Sequence, residues 1–346
     1  MTIIYFILVL TITVMVHELG HFLLAKKNGV YVYEFSIGMG PKLISKKKDE
    51  TEYSLRLFPI GGFVSMAGED MESSDNVSKE RQLCNKNLWA RFTTMVAGIT
   101  FNIIFAIILL FIIGLIAGTP KNDTIISRID ENYPIYNSTI KKGDRIIRID
   151  SKRVSSYEDI ALELTVKSGK NVNITVLHPD SNEEVVNVKP IYTERDNVKG
   201  YSYGFSLNIE KSRGIISSIK YSIKQTGLLI RQMYRILNYL VTGSLSIDNL
   251  SGPVGIFSIV DQASKTGILS VIYLIAYLCI NVAVINLLPF PAFDGGRILF
   301  LIIEKIKGSR VNPKVENTIH AIGFLFLMLL MIFITYKDIL KIFTKN

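Results

Sequence analysis

The stretch "VMVHELGHFLLA", residues 14–25, sets His17, Glu18 and His21 in an H-E-x-x-H pattern inside apolar sequence. On a helix, imidazoles at i and i+4 share one face about a turn apart, so both can hold one metal ion. A glutamate beside the first of them is placed to take a proton from water activated by that metal. The chain has only four histidines, so two of them bracketing a glutamate at this spacing is a specific signal. The plain alternative is a pair of core histidines satisfied by neighbouring helices. Ionisable groups cost about 2.5–3.5 kcal/mol each within hydrocarbon, which argues against an idle pair. A catalytic zinc takes three protein ligands and keeps a fourth position open. His178 and His320 lie elsewhere; the better third donor is Asp294, in "INLLPFPAFDGGRIL", 285–298. Asp294 can also be read as merely beginning a turn with Gly295 and Gly296.

The elements that must carry these residues are apolar. Hydrophobic residues make up 49% of the 346, and mean hydropathy is +0.32. Four stretches are long enough to span about 30 Å of hydrocarbon: 2–25 (interrupted only by Glu18), 92–120, 266–293 and 317–336. The first has no basic flank before it and runs on through HELGH, so a retained span is expected rather than a cleaved signal peptide. Lysines and arginines follow the first and third spans and precede the second, which predicts cytoplasmic loops there. The N-terminus and 121–265 then lie outside, although the basic tail "YKDILKIFTKN" conflicts mildly with this. His17 falls about 23 Å along the first span, in its cytoplasmic half, and Asp294 terminates the third span on the same side. The ligands can therefore share a depth. The net charge of +9 is accounted for by this topogenic pattern and contact with anionic lipid, and nucleic acid is not needed. Cys84 and Cys279 fall in different segments and predict no disulfide.

Between the second and third spans, "TIISRID", "DRIIRID", "NVNITVLHP" and "EEVVNVKPI" alternate as half-buried strands do, and "SYEDIALELTVKSG" has helical spacing. These predict a small β-rich domain over 121–195. With Gly143-Asp144 leading into a central strand, its order of parts resembles a PDZ domain of the bacterial protease type. Residues 196–213 read as a linker, and 215–242 as an amphipathic helix that lies either in the membrane interface or on protein. In the first cytoplasmic loop, Tyr53–Phe58 alternates, Pro59–Gly62 turns and Phe63–Met66 resumes, predicting a membrane-associated hairpin. The expected fold is a polytopic α-helical membrane protein with four transmembrane helices, that hairpin and the inserted PDZ-like domain.

HELGH in the first span with N-L-L-P-F-P-A-F-D-G at the end of a later one resembles the site-2 protease family of intramembrane zinc metalloproteases. The PDZ-like insertion is similar to the branch of regulator-of-sigma-E type, and the resemblance covers nearly the whole chain. It implies one zinc ion per chain held by His17, His21 and Asp294, with Glu18 as general base and Asn286 stabilising substrate or oxyanion. It also implies single-span substrates, either anti-sigma factors or signal-peptide remnants, in a bacterial cell membrane, trimmed first by an upstream site-1 protease. Substrate contacts are expected at Tyr53, Gly61, Gly62, Phe63, Met66 and Asn102. Phe293 stands where the family has Leu, Ile99 where it has Pro, and Ser65 where Lys is common; these departures bear on substrate and leave the ligands intact. The rival readings are a zinc transporter or scaffold, which has no need of Glu18, and a membrane-anchored protease with a cytosolic site.

Overall fold

The computed structural model describes residues 1–69, 76–120, 124–167, 169–195, 198–207, 211–245 and 252–344. Their chain divides into two compact units. The first contains residues 1–113, 222–233 and 246–346, the second 114–221 and 234–245.

In the first unit four helices are long and apolar enough to cross a membrane. They are α1 (Thr2–Lys27), α2 (Leu88–Ala117), α6 (Ile268–Leu287) and, within α8 (Pro313–Thr344), Pro313–Asp338. Between them in sequence come α3 (Tyr157–Val166), which belongs to the second unit, α4 (Ile215–Val241), which has residues in both, and α5 (Pro253–Thr266) and α7 (Asp294–Lys307) of the first. Lys26 and Lys27 at the end of α1 complement the negative end of its dipole. Asn87 Oδ1 accepts the Ala90 N–H at 2.7 Å and caps α2. Asp338 does the same for α5, accepting the N–H groups of Gly252 and Gly255 at 2.8 and 3.0 Å.

The third span ends earlier than expected. α6 stops at Leu287, six residues form an irregular loop, and Asp294 is the first residue of α7. Pro289 and Pro291 cause the break, since neither can donate to a helix. Gly295 and Gly296 then belong to a helix, where a turn had been the alternative.

The predicted hairpin also exists with a different turn. β1 (Val32–Lys48) pairs with β2 (Thr51–Met66), and the chain reverses at Asp49, whose φ is 55°. Pro59–Gly62 lies within β2. Glu34–Ile37 pairs with Gly62–Ser65 and also with Glu52–Leu55, so β2 crosses from one side of β1 to the other. Pro59 has no N–H to give the ladder, so the crossing falls there, and its sequence signal imitates a turn. Val32, Phe35, Val64 and Met66 pack with Phe22, Ala25, Met95, Ile99, Ala283 and Ile298, fixing the base of the ribbon to the helices. Its far end exposes Met39, Leu43, Ile44 and Phe58.

The second unit is a β-rich module. β3 (Thr119–Pro120) and β4 (Ile126–Ile129) precede β5 (Arg145–Ile149), β6 (Lys152–Arg153), β7 (Val172–Leu177) and β8 (Glu183–Val188). A four-stranded sheet runs in the order β6-β5-β7-β8. The expected boundary at 195 is too early. β9 (Ile191–Arg195) pairs with β10 (Val198–Ser202), β11 (Phe205–Leu207) with β4, and β12 (Lys211–Ser212) with β3. β11 and β12, of three and two residues, are too short to show alternation, and the five-residue β10 is interrupted by Gly200, so this closing segment reads as a linker. Ile126, Ile146, Ile149, Ile160, Ile174 and Tyr203 are among the core residues. The 234–241 part of α4 packs on α3, with Tyr239 Oη donating to Glu163 at 2.7 Å and Arg235 to Asp159 at 2.7 Å. At least this end of α4 is therefore packed on protein.

His178 lies between two carboxylates of this module, Asp144 at 2.9 Å and Glu184 at 3.1 Å. The hydrogen bond to Asp144, then that to Glu184, raises its pKa above the usual histidine value. A raised pKa contributes stability that is complete below about pH 6.5 and lost as pH rises through the folded value. Resistance of the module to proteolysis in the full-length protein should fall as pH rises above about 6.5, and His178→Gln should flatten that profile. An identical slope in the variant would assign the pH dependence to another group.

Candidate metal centre

α1 places the His17 and His21 rings one turn apart, with centroids 4.7 Å apart. Their Nε2 atoms are 3.1 Å apart. Asp294 Oδ2 lies 3.1 Å from His17 Nε2 and 3.3 Å from His21 Nε2. Both imidazoles are buried. Asp294 Oδ2 is buried too and accepts no hydrogen bond. Among the described residues this is the one cluster of three such groups able to hold a metal ion.

The outer ring nitrogens decide what the inner ones can do. His21 Nδ1 is 2.8 Å from the Thr94 carbonyl, which only accepts, so Nδ1 carries the proton. In a neutral ring this leaves a lone pair on Nε2. His17 Nδ1 faces the Asn102 amide at 3.5 Å, and Asn102 Oδ1 is buried without a partner. Rotating that amide by 180° lets Oδ1 accept from His17 Nδ1, freeing the second Nε2 lone pair. Two nitrogens and a carboxylate oxygen converging in this way repel one another unless a cation joins them. A tetrahedral zinc with ligands about 2.0–2.1 Å away holds them about 3.3 Å apart. The observed separations fit that ion.

Thr94, Gly98 and Asn102 form an i, i+4, i+8 row on α2 facing this pair. A Cβ at Gly98 would lie less than 3.0 Å from His21 Nε2 and from His17 Cε1 and Nε2. Only glycine lets the two helices approach this closely. The sequence reading singled out neither Thr94 nor Gly98; their signal was a row of small and polar residues at a spacing of four in an apolar span. α7 is held on the other side. Arg91 Nη2 donates to Glu304 at 2.5 Å, and Arg297 Nη1 donates to the Glu69 carbonyl at 3.2 Å.

Glu18 is half-buried, and its Oε2 accepts the Val64 N–H at 3.1 Å. The Val64 amide thus turns away from β1 toward the glutamate. Asn286 is the penultimate residue of α6 and donates back to the Val282 carbonyl at 3.0 Å, with no described contact to the three donors. Phe63 lies under the Arg56 guanidinium at 4.9 Å, and Gly62 pairs with Ile37. Tyr53 packs edge-on to Phe22 yet stays 37% exposed, whereas Met66 is buried in the core and offers no open surface for substrate. Gly61 has room beside Met39 and Val14. Asn102 touches a candidate ligand and is fully buried, which makes it a support of the centre instead.

Gly98→Ala should weaken zinc binding about tenfold or more, as loss of supports around ligands commonly does. Competition with a chelator measures this, and wild-type affinity in the variant would show that the close approach does not set the site.

Residues 5–330 match the sequence profile of peptidase family M50. The chain is 32% identical to the regulator of sigma-W protease RasP of Bacillus subtilis, with 99% of both chains covered. It is 35% identical to putative zinc metalloproteases of Clostridium acetobutylicum, covering 96% of each chain, and of Clostridium perfringens, covering 98% and 99%. A match over nearly the whole length, around three converging groups able to hold a metal ion, gives the conclusion: the chain belongs to peptidase family M50, the site-2 proteases, and is a zinc metalloprotease.

Proposed function

We propose that this protease hydrolyses a peptide bond within the transmembrane segment of single-span substrates, with His17, His21 and Asp294 holding zinc and Glu18 as general base. The observation that carries the reading is the convergence of two Nε2 atoms and Asp294 Oδ2 at 3.1–3.3 Å, beside helices apolar enough for a membrane. Anti-sigma factors and signal-peptide remnants are the proposed substrates. The relative named for sigma-W regulation favours the first. In this reading the N-terminus and the β-rich module lie outside a bacterial cell membrane, and the basic loops put the site toward the cytoplasm.

Zinc bound there supplies Lewis-acid chemistry, polarising a carbonyl and making water nucleophilic near neutral pH. Glu18 takes a proton from the attacking water and passes it to the leaving amine. The Val64 N–H fixes its carboxylate for that transfer. Asn286 Nδ2 keeps a second hydrogen free beside its bond to Val282 and can donate it to the developing oxyanion. A substrate helix must unwind before any base reaches its backbone, and its freed amides need partners in a medium that offers none. The part of β2 around Val64 is the segment proposed to pair with that strand. The module, of PDZ type in this reading, screens substrates outside, admitting those already trimmed by a first protease.

Purified protein in detergent should cut a single-span reporter inside its span. Glu18→Gln should retain zinc and lose about 10²–10⁴-fold in rate. Wild-type cleavage by Glu18→Gln would remove the base assignment. Deletion of 119–212 should raise cleavage of an untrimmed substrate; an unchanged rate would end the screening role.

A further inference from the structure

His320, on α8, plays no part in the chemistry above, yet it touches the loop that presents Asp294. Its Nδ1 lies 3.1 Å from the backbone nitrogen of Ala292 and accepts that N–H. To accept there, the ring must carry its proton on Nε2, and that buried atom has no partner among the described residues. A buried donor left unpaired is a cost the site bears, so the contact made by the other nitrogen calls for a reason. Ala292 supplies it. Its φ is 81°, one of four positive values at non-glycine residues in the described chain. An L-residue holds that conformation only when its surroundings over-determine it. Two residues later the chain reaches Asp294.

A second contact between the same elements is independent of the imidazole. α8 passes so close to the loop at Gly323 that any side chain there would collide with the Pro291 ring and carbonyl. The His320 ring packs against Phe300 of α7, with centroids 5.6 Å apart. α8 therefore grips the loop at Pro291 and Ala292, and His320 also touches the helix that Asp294 begins.

We propose that His320 is a positioning residue: by accepting the Ala292 N–H it holds the left-handed turn that sets Asp294 Oδ2 against the two histidines. The inference rests on the reading of Asp294 as a zinc ligand. In detergent-solubilised full-length protein, zinc affinity is measured by chelator competition. His320→Phe keeps a ring against Phe300 and removes the acceptor; it should bind zinc about tenfold more weakly. Ala292→Gly added to His320→Phe should recover most of that loss, because glycine adopts positive φ without strain. The recovery also shows that the variant folds, and a residue that only fills space would not yield it. Unchanged affinity in His320→Phe, or a loss that Ala292→Gly does not repair, overturns the proposal. Asp294→Ala, run alongside, separates the two readings. Wild-type zinc affinity in that variant would overturn the ligand assignment, whereas a zinc loss there with none in His320→Phe overturns only the positioning role.

Discussion

Two imidazole nitrogens and a carboxylate oxygen sit 3.1–3.3 Å apart in largely buried side chains. Their mutual repulsion is the constraint the surrounding fold has to meet. Left to itself such a cluster would splay apart or take up a proton. Each donor is instead fixed from behind. The Thr94 carbonyl and the Asn102 amide set the ring nitrogens, and the glycine at 98 keeps α2 close enough for both to reach. The rigid spacing of α1 fixes the two histidines against each other at no further cost.

What the sequence reveals divides along the same line. HELGH is legible because the i, i+4 spacing is local and its chemistry survives any packing. Asp294 is legible through the matching depth of two apolar stretches, an argument that needs no contact. The reversal at Asp49 is not legible, since Pro59 and the glycines near it carry the stronger turn chemistry while serving as a crossing point inside β2. Nor are β11 and β12, whose short runs close the module only by pairing with strands 76 or more residues earlier. His320 reads as a lone histidine in a span because its partner is a backbone N–H 28 residues away. No side-chain pattern records such a bond.

The ribbon joins the Glu18 carboxylate to the packed core through one hydrogen bond. Val64 is buried in the core that pins β2 to α1 and α2, and its N–H is bound to Glu18. A carboxylate acting as a base must be oriented, yet an oriented buried carboxylate needs hydrogen-bond donors. A single backbone donor meets part of that need and leaves the other oxygen free of this contact. The same residue thus anchors the ribbon and orients the Glu18 carboxylate, which couples the position of β2 to the proposed base.

The break after α6 has a physical consequence for the third donor. As the last residue of a long span, Asp294 would face the unsatisfied carbonyls and the negative end of that helix. An anion there is disfavoured by the macrodipole, and in apolar surroundings the carboxyl would tend to protonate and cease to donate. As the first residue of α7 it sits at the positive end, where N–H groups point toward it. Reaching that position requires the chain to leave one helix and start another within six residues, which places irregular backbone beside apolar helices. Such backbone is tolerated in a membrane only where protein or a water-filled cavity meets its polar groups. The contacts around the loop fit this demand. Phe290 and Phe293 N–H groups bond to Leu288 and Phe290 carbonyls, and the Ala292 N–H goes to His320. The irregular segment therefore lets Asp294 begin a helix instead of ending one, and the two prolines that break α6 are part of how the proposed third ligand is presented.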